Sequence, residues 1–185
     1  SRRYHYMTDY IQQYKQYHED LRKYPGNNLE PQLPHILQLI QETHSTSLLD
    51  YGCGKGYQYK NGRLPYGFEP SLYDPAVPEH DTYPEGTFHG VISTDVMEHI
   101  PEEQIPHVFK QISQSATRFV FLAIATDLAI ALLPNGENAH CTIKPLDWWV
   151  DTWKDVSSNK DLIVHIKTYG QYEGYANFIE GQRIV

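Results

Sequence analysis

A carboxylate followed by closely spaced glycines is the first part of the sequence whose residue types could do chemistry. The apolar run 47–49 ends in Asp50, and Gly52, Gly54 and Gly56 follow at every second position. Glycine lacks a Cβ, so a loop of this composition lets a ligand lie against the main chain. The pattern predicts a buried strand that opens into a ligand-binding loop with a fixed negative charge at its start.

The spacing of these glycines favours a cationic ligand over a pyrophosphate. In the dinucleotide-binding fingerprint the third glycine follows the second by three residues, whereas Gly56 follows Gly54 by two. The carboxylate of Asp50 also suits a cationic group better than a phosphate. Taken alone, the glycine cluster is weak evidence because it also occurs in ordinary tight turns, so residues elsewhere in the chain have to decide between the two.

A second carboxylate stands where a nucleoside would need one. Asp74 ends the predicted strand 71–74 and lies 18 residues beyond Gly56. Doubly wound nucleoside-binding folds place the carboxylate that accepts hydrogen bonds from ribose hydroxyls near this position. An acidic residue at a strand end can also cap a loop, but beside the glycine loop the ligand interpretation is favoured.

A third group of polar residues follows a later apolar strand. Asp95, Glu98 and His99 occur at positions i, i+3 and i+4, which places them on one side of a helical turn. His140, in the loop after the next strand, is expected to approach them. Because histidine suits general-base chemistry near neutral pH, we predict His99 and His140 as catalytic residues with Glu98 as their orienting partner. The same set could ligate a divalent metal, which we do not favour.

The elements that must position these residues alternate between strand and helix, which is typical of an α/β fold with a doubly wound sheet. The predicted strands are 47–50, 71–74, 88–94, 119–125, 162–168 and 176–185, with at most one very short strand near 81–83; the predicted helices are 8–23, 30–43, 101–115 and 145–154. We divide the chain into an N-terminal helical cap, 1–30, and a single globular domain, 31–185. In the cap, Tyr10, Tyr14, Tyr17 and His18 are expected to cover the pocket, and His18 and Tyr24 are candidates to line it.

Composition excludes several classes of protein. With 185 residues, 40% hydrophobic and 21% charged, the chain fits one globular unit with a substantial core. The net charge of −8 argues against broad nucleic-acid binding and against anionic membrane surfaces. Two distant cysteines suggest no disulfide framework, and the sequence shows neither a membrane-spanning run nor the apolar core of a signal peptide. We therefore expect a cytoplasmic protein.

Three segments together resemble the motifs of class I S-adenosylmethionine-dependent methyltransferases. Residues 49–56 are similar to the first motif, Asp74 to the second-strand acidic residue, and residues 94–101 to the segment after the fourth strand. His140, shortly before a predicted helix, is similar to the histidine that precedes the late helix in many members. Three motifs at compatible spacing are more specific than any one of them.

This resemblance implies a Rossmann-like, seven-stranded mixed sheet with S-adenosylmethionine at the carboxyl ends of its strands. It implies cofactor contacts from Asp50, Tyr51, Gly52, Cys53, Gly54, Gly56, Asp74, Pro75 and Asp95. Asp50 would face the cation region, Asp74 the ribose hydroxyls and Asp95 the pocket floor. The connections on either side of Asp74 are too short for full-length helices. The helix after the glycine loop and the crossover between the predicted strands 71–74 and 88–94 are therefore predicted to be trimmed. Glu79 and Asp81 are open alternatives for the adenine edge.

The acceptor is the least determined part of the functional prediction. Methyl transfer from a sulfonium is a direct displacement, which chiefly requires alignment of nucleophile, methyl group and sulfur. We expect oxygen methylation of a small-molecule or glycan-like acceptor. The carboxylate and histidine group also resembles that of small-RNA 3′-end ribose methyltransferases and of some quinone-ring O-methyltransferases. Metal-assisted RNA 2′-O-methylation and a non-catalytic cofactor-binding module are therefore the alternatives, and the acidic net charge disfavours the RNA acceptor.

Overall fold

The computed structural model describes residues 10–16, 19, 29–60, 62–157 and 161–181. Three of the pocket candidates in the cap, Tyr17, His18 and Tyr24, lie outside these described residues, as do both ends of the predicted helix 8–23.

A six-stranded mixed sheet forms the centre of the described fold. Its order is β2-β1-β3-β4-β5-β6; β1 to β5 run parallel, and β6 pairs antiparallel with β5. The strands are β1 (Leu48–Tyr51), β2 (Ser71–Tyr73), β3 (Phe88–Thr94), β4 (Ala116–Ala125), β5 (Ile163–Tyr169) and β6 (Gly174–Ile179). The predicted α/β fold and the final hairpin are confirmed.

The predicted count of seven strands was wrong for the described part of the chain. The segment between β2 and β3 contains the short 3-10 helix Pro78–His80 and turns, and residues 81–83 form no strand. Pro75, Pro78 and Pro84 interrupt this segment. Proline cannot donate to a strand ladder, so a short segment with three prolines favours turns over a further edge strand. The trimmed β2–β3 region is as expected.

Helices cover both faces of the sheet. The helices are α1 (10–16), α2 (Leu33–Glu42), α3 (Ile105–Ser115) and α4 (Leu146–Val156). Four further 3-10 helices are Glu30–Gln32, Tyr57–Tyr59, Met97–His99 and Glu102–Gln104. α2 packs with Phe119 and Phe121 on one face, while α3 and α4 bury Trp149 and Trp153 on the other. This arrangement is the doubly wound layer structure that the sequence predicted.

Parallel pairing brings the predicted site residues to one edge of the sheet. Gly52 follows β1, Asp74 follows β2 and Asp95 follows β3. Because these strands are parallel, their carboxyl ends meet at the same edge, where open α/β sheets bind ligands. Across the described ranges, no helix combines the length and apolar character needed to cross a bilayer.

Candidate active site

A pocket opens at the carboxyl edge of the sheet, beneath α1. Its lining residues are Tyr10, Ile11, Tyr14, Tyr51, Gly52, Asp74, Pro75, Ala76, Asp95, Val96, His99 and Ile100. Six of them belong to the site residues that the sequence predicted. The fold therefore brings at least one predicted residue from each of the three motifs to a single pocket.

The glycine loop has the backbone conformation that only glycine adopts easily. Gly52, Gly54 and Gly56 have φ values of +81°, +58° and +69°. The N–H groups of Gly52 and Cys53 donate to the carbonyl oxygen of Tyr73 at 2.7 and 3.1 Å, which ties the loop to β2. Cys53 is buried and its thiol faces the carbonyl of Gly54. Cys53, Gly54 and Gly56 thus shape the loop beside the pocket, and their predicted contact with a cofactor stays a prediction.

Asp74 joins the glycine loop to the end of β2. Its Oδ2 accepts a hydrogen bond from the N–H of Gly54 at 2.9 Å, and its Oδ1 accepts one from the N–H of Ala76 at 2.9 Å. The side chain is 7% exposed and lines the pocket. Since each carboxylate oxygen can accept more than one hydrogen bond, this arrangement is compatible with the predicted ribose contact.

Asp50 lies below the glycine loop and does not line the described pocket. Its Oδ2 accepts hydrogen bonds from the Tyr59 hydroxyl at 2.6 Å and from Gln58 Nε2 at 3.2 Å. Burial raises the pKa of Asp50 to about 6, although both hydrogen bonds oppose that rise. Its orientation toward the cation region stays a prediction, and no sequence pattern indicated its contacts with Tyr59 and Gln58.

Replacing Asp50 with asparagine is expected to flatten the pH dependence of stability. The folded pKa of about 6 exceeds the usual value, so the stabilising effect of this carboxyl is complete below about pH 4 and is lost as the pH rises through 6. We expect Asp50→Asn to raise the free energy of unfolding by about 1–3 kcal/mol at pH 8 and to change it little at pH 4.

Urea unfolding at pH 4 and pH 8 measures this effect. Asp151→Asn, which changes an exposed carboxyl on α4, is the matched control and should leave the pH profile as in the wild type. An Asp50→Asn profile identical to the wild-type profile would contradict the assignment.

Tyr14 and His99 meet at the carbonyl oxygen of Ala139. The Tyr14 hydroxyl donates to this oxygen at 2.7 Å, and His99 Nδ1 lies 2.8 Å from the same oxygen and 2.6 Å from the Tyr14 hydroxyl. A carbonyl oxygen only accepts hydrogen bonds, so we assign the proton of the neutral imidazole to Nδ1. The lone pair of His99 is then on Nε2.

His140 packs against the ring of His99, and its Nδ1 also lies beside a backbone carbonyl oxygen. The two rings are 4.7 Å apart between centroids and nearly perpendicular. His140 Nδ1 lies 2.6 Å from the carbonyl oxygen of Asp127, which again assigns the proton to Nδ1 and the lone pair to Nε2. Thr142 fixes this loop, because its N–H donates to the Glu98 carbonyl and its hydroxyl to the Ile100 carbonyl.

Two carboxyl groups lie close together beneath these histidines. Glu98 is fully buried, and neither of its side-chain oxygens has a hydrogen-bond partner among the described residues. Asp95 acts on Glu98 through its charge, without hydrogen-bond geometry between the two side chains. Burial and the charge of Asp95 raise the pKa of Glu98 well above its usual range, although the backbone groups of Glu98 and Ala125 oppose this rise, and burial raises the pKa of Asp95 to about 7.

The backbone at Asp95 is also unusual. Its φ is +56°, in the left-handed region, and its N–H donates to the carbonyl of Ala123 on β4 at 2.9 Å. Non-glycine residues in this region carry local strain and concentrate at functional sites. One carboxyl oxygen of Asp95 is buried with no hydrogen-bond partner in the described ranges.

The residues present fit a divalent cation. Glu98, His99 and His140 each offer a ligand atom, and these atoms lie within 4.8 Å of one another. Carboxylate and imidazole donors bind several divalent ions, and the buried oxygens of Glu98 would gain a partner from such an ion. From the sequence we did not favour a metal here; the buried, unpartnered oxygens of Glu98 are the observation that supports one.

Three residues around the pocket make contacts that the sequence patterns did not predict. Tyr59 bonds to Asp50, Val96 packs against Gly52, and Tyr14 bonds to His99. Only Tyr14 gave a signal, since its helical spacing with Tyr10 indicated a covering helix.

Comparison with known families identifies the class of this protein. A family model described as a methyltransferase domain matches residues 3–154. The chain belongs to this methyltransferase family, and it is an enzyme of the class I, S-adenosylmethionine-dependent type that the motifs and the sheet indicate. A search of curated proteins gave no significant match.

Proposed function

We propose that this enzyme transfers the methyl group of S-adenosylmethionine to an oxygen of a small-molecule or glycan-like acceptor. The donor would lie in the pocket against Gly52, with its ribose near Asp74 and Pro75 and with Asp95 at the pocket floor. Asp74 supports this placement because it combines a buried carboxylate with a position at the end of β2.

His99 and His140 are the residues that support oxygen as the accepting atom. Both Nδ1 atoms lie beside carbonyl oxygens, which assigns a lone pair to each Nε2. A hydroxyl acceptor is a poor nucleophile until it loses its proton, and a neutral imidazole is suited to take that proton near pH 7. The remaining task, alignment of oxygen, methyl group and sulfur, belongs to the pocket walls.

The N-terminal segment is proposed as the cap of this pocket. Tyr10, Ile11 and Tyr14 of α1 line the pocket, and the Tyr14 hydroxyl reaches Ala139 and His99 across it. These contacts support a division into a cap, 1–30, and a methyltransferase domain, 31–185, in which the cap shapes the acceptor side.

Replacing His140 with alanine is expected to lower kcat by about 10²–10³-fold, because the acceptor would lose its base. The measurement is transfer of tritiated methyl from S-adenosylmethionine to a panel of phenols, sugars and glycosides. The KM for S-adenosylmethionine should change little, since His140 does not line the donor pocket. His89→Ala, at a histidine bonded to Thr46 at the other end of β3, is the matched control.

Two results would overturn the assignment. One is unchanged turnover in the His99→Ala, His140→Ala double variant. The other is labelled product whose methyl group is bound to nitrogen or carbon. Cofactor binding without transfer to any acceptor would favour the non-catalytic module.

Divalent-metal-assisted transfer, including transfer to an RNA 2′-hydroxyl, is the second candidate. The buried, unpartnered oxygens of Glu98 beside two imidazoles favour it. In this case His99 and His140 would be ligands, and the ion would stabilise the deprotonated acceptor oxygen. Activity that EDTA removes and Mg²⁺ or Mn²⁺ restores would select this mechanism, whereas activity indifferent to EDTA would exclude it.

A further inference from the structure

Two histidines and a tyrosine converge on the face of the sheet that α2 covers, and none of them lines the active-site pocket. His35 comes from α2, His165 from β5 and Tyr175 from β6. His35 Nε2 lies 3.0 Å from His165 Nδ1 and 3.0 Å from the Tyr175 hydroxyl, which also contacts His165 Nδ1. Three elements far apart in sequence thus present polar atoms to one point.

We propose that His35 and His165 form a binding site for a borderline divalent transition-metal ion such as Cu²⁺ or Zn²⁺, with Tyr175 beside them. Two ligands at right angles and about 2.1 Å from a metal are about 3.0 Å apart. The two imidazole nitrogens have this separation. When the ion binds, each ring carries its proton on its other nitrogen, His35 Nδ1 and His165 Nε2, so ligation needs no net release of protons.

The charge state of the two rings favours ligation near neutral pH. Burial lowers the pKa of His165 to about 4 and also lowers that of His35. Protons therefore compete weakly with a cation for these nitrogens. The negative charge of Glu42 acts on both rings and favours a cation. Lys167 opposes it at His35, although its Nζ donates to Gln32 at 3.3 Å.

The site is open to solvent and selective in its donors. Tyr175 is 45% exposed and His35 and His165 are both partly exposed, so an ion can reach the cluster from solvent. Burial raises the pKa of Tyr175, so its hydroxyl stays protonated and acts as a hydrogen-bonding neighbour of the ion's water. Imidazole donors favour Cu²⁺ over Zn²⁺ and discriminate against Mg²⁺, which prefers oxygen ligands.

Isothermal titration of the tag-free protein with CuCl₂, ZnCl₂ and MgCl₂ tests the site. We expect a Cu²⁺ site with Kd on the order of 10 μM, weaker Zn²⁺ binding and no Mg²⁺ binding in this cluster. His35→Gln and His165→Ala should each weaken Cu²⁺ binding at least about 10-fold, and Tyr175→Phe less, because only the imidazoles are ligands. His89→Ala should bind as the wild type does.

Paramagnetic broadening keeps the test independent of how the variants fold. In the wild-type protein, substoichiometric Cu²⁺ should broaden the ring signals of His35 and His165 before those of other histidines. The proposal is overturned if those two rings stay sharp, or if folded His35→Gln and His165→Ala bind Cu²⁺ as tightly as His89→Ala. Loss of this binding in His140→Ala alone would also overturn it, since the ion would then belong to the active-site cluster.

Discussion

Gly52→Ala is expected to abolish binding of S-adenosylmethionine and to lower the free energy of unfolding by about 3 kcal/mol. Gly52 has φ +81°, and a Cβ at this position would lie 2.3 and 2.7 Å from the two methyl carbons of Val96. Left-handed backbone costs about 1–2 kcal/mol for alanine, and overpacking adds about 1–3 kcal/mol. Val96 lines the same pocket, so any shift that relieves the clash changes the pocket itself.

Gly67→Ala is the matched control for this substitution. Gly67 has φ +77°, but a Cβ there would meet no atom within 4 Å. Gly67→Ala should therefore lower the free energy of unfolding by only about 1–2 kcal/mol and leave cofactor affinity unchanged. Val96→Ala should restore part of the lost stability in the Gly52→Ala protein. Wild-type affinity in Gly52→Ala would show that this loop does not touch the cofactor.

Asp74→Ala is expected to weaken binding of S-adenosylmethionine at least about 100-fold, or about 3 kcal/mol. The substitution removes the predicted ribose acceptor and leaves the N–H groups of Gly54 and Ala76 without their partner. Each unpaired buried N–H costs about 1–3 kcal/mol, so the loss of both partners should also lower the free energy of unfolding by about 2–6 kcal/mol.

Two further variants separate the ribose contact from loop support. Asp74→Asn keeps the size of the side chain and one acceptor oxygen, so it should retain more stability than Asp74→Ala while still losing affinity. Glu85→Ala, at an exposed carboxyl in the same connection, should alter neither quantity. Titration calorimetry and urea unfolding give both numbers. Equal cofactor affinity in Asp74→Ala and Glu85→Ala would exclude Asp74 from the site.

The sequence predicted elements well where the apolar pattern alone determines them. β3 has the predicted bounds, Phe88–Thr94, because it is apolar and buried along most of its length. β4 begins at Ala116, three residues before the predicted start. The hydrophobic pattern did not include Thr117 and Arg118 in the strand because they are polar. In the structure, however, Arg118 donates hydrogen bonds to the carbonyls of Thr43 and His44 beside the strand. The strand is therefore longer than the hydrophobic pattern predicted, because tertiary contacts stabilise its polar first residues.

In the candidate site, too, the residues that are close together in sequence were predicted, whereas the contacts between distant residues were not. The glycine loop and the group Asp95, Glu98 and His99 are local in sequence, so their spacing was sufficient to propose them. The bonds of Tyr14 to His99 and Ala139 join residues 85 and 125 positions apart, and no local pattern encodes such contacts. The same holds for His35 and His165, which are 130 positions apart.

The number of strands is a point at which the family resemblance and the residues of this chain disagree. The family pattern implied seven strands, while the chain between β2 and β3 offers three prolines and too little length. Because proline cannot donate to a strand ladder, three prolines in so short a segment favour turns and hence a six-stranded sheet in the described part of the chain.

Titration of the wild-type protein with S-adenosylhomocysteine, the product of methyl donation, is the most direct test that this pocket holds the methyl donor. We expect one bound molecule per chain, with binding strongly weakened in both Gly52→Ala and Asp74→Ala and intact in Gly67→Ala. Absence of binding heat at high ligand concentration in the folded wild-type protein, or equal binding in all four proteins, would contradict it.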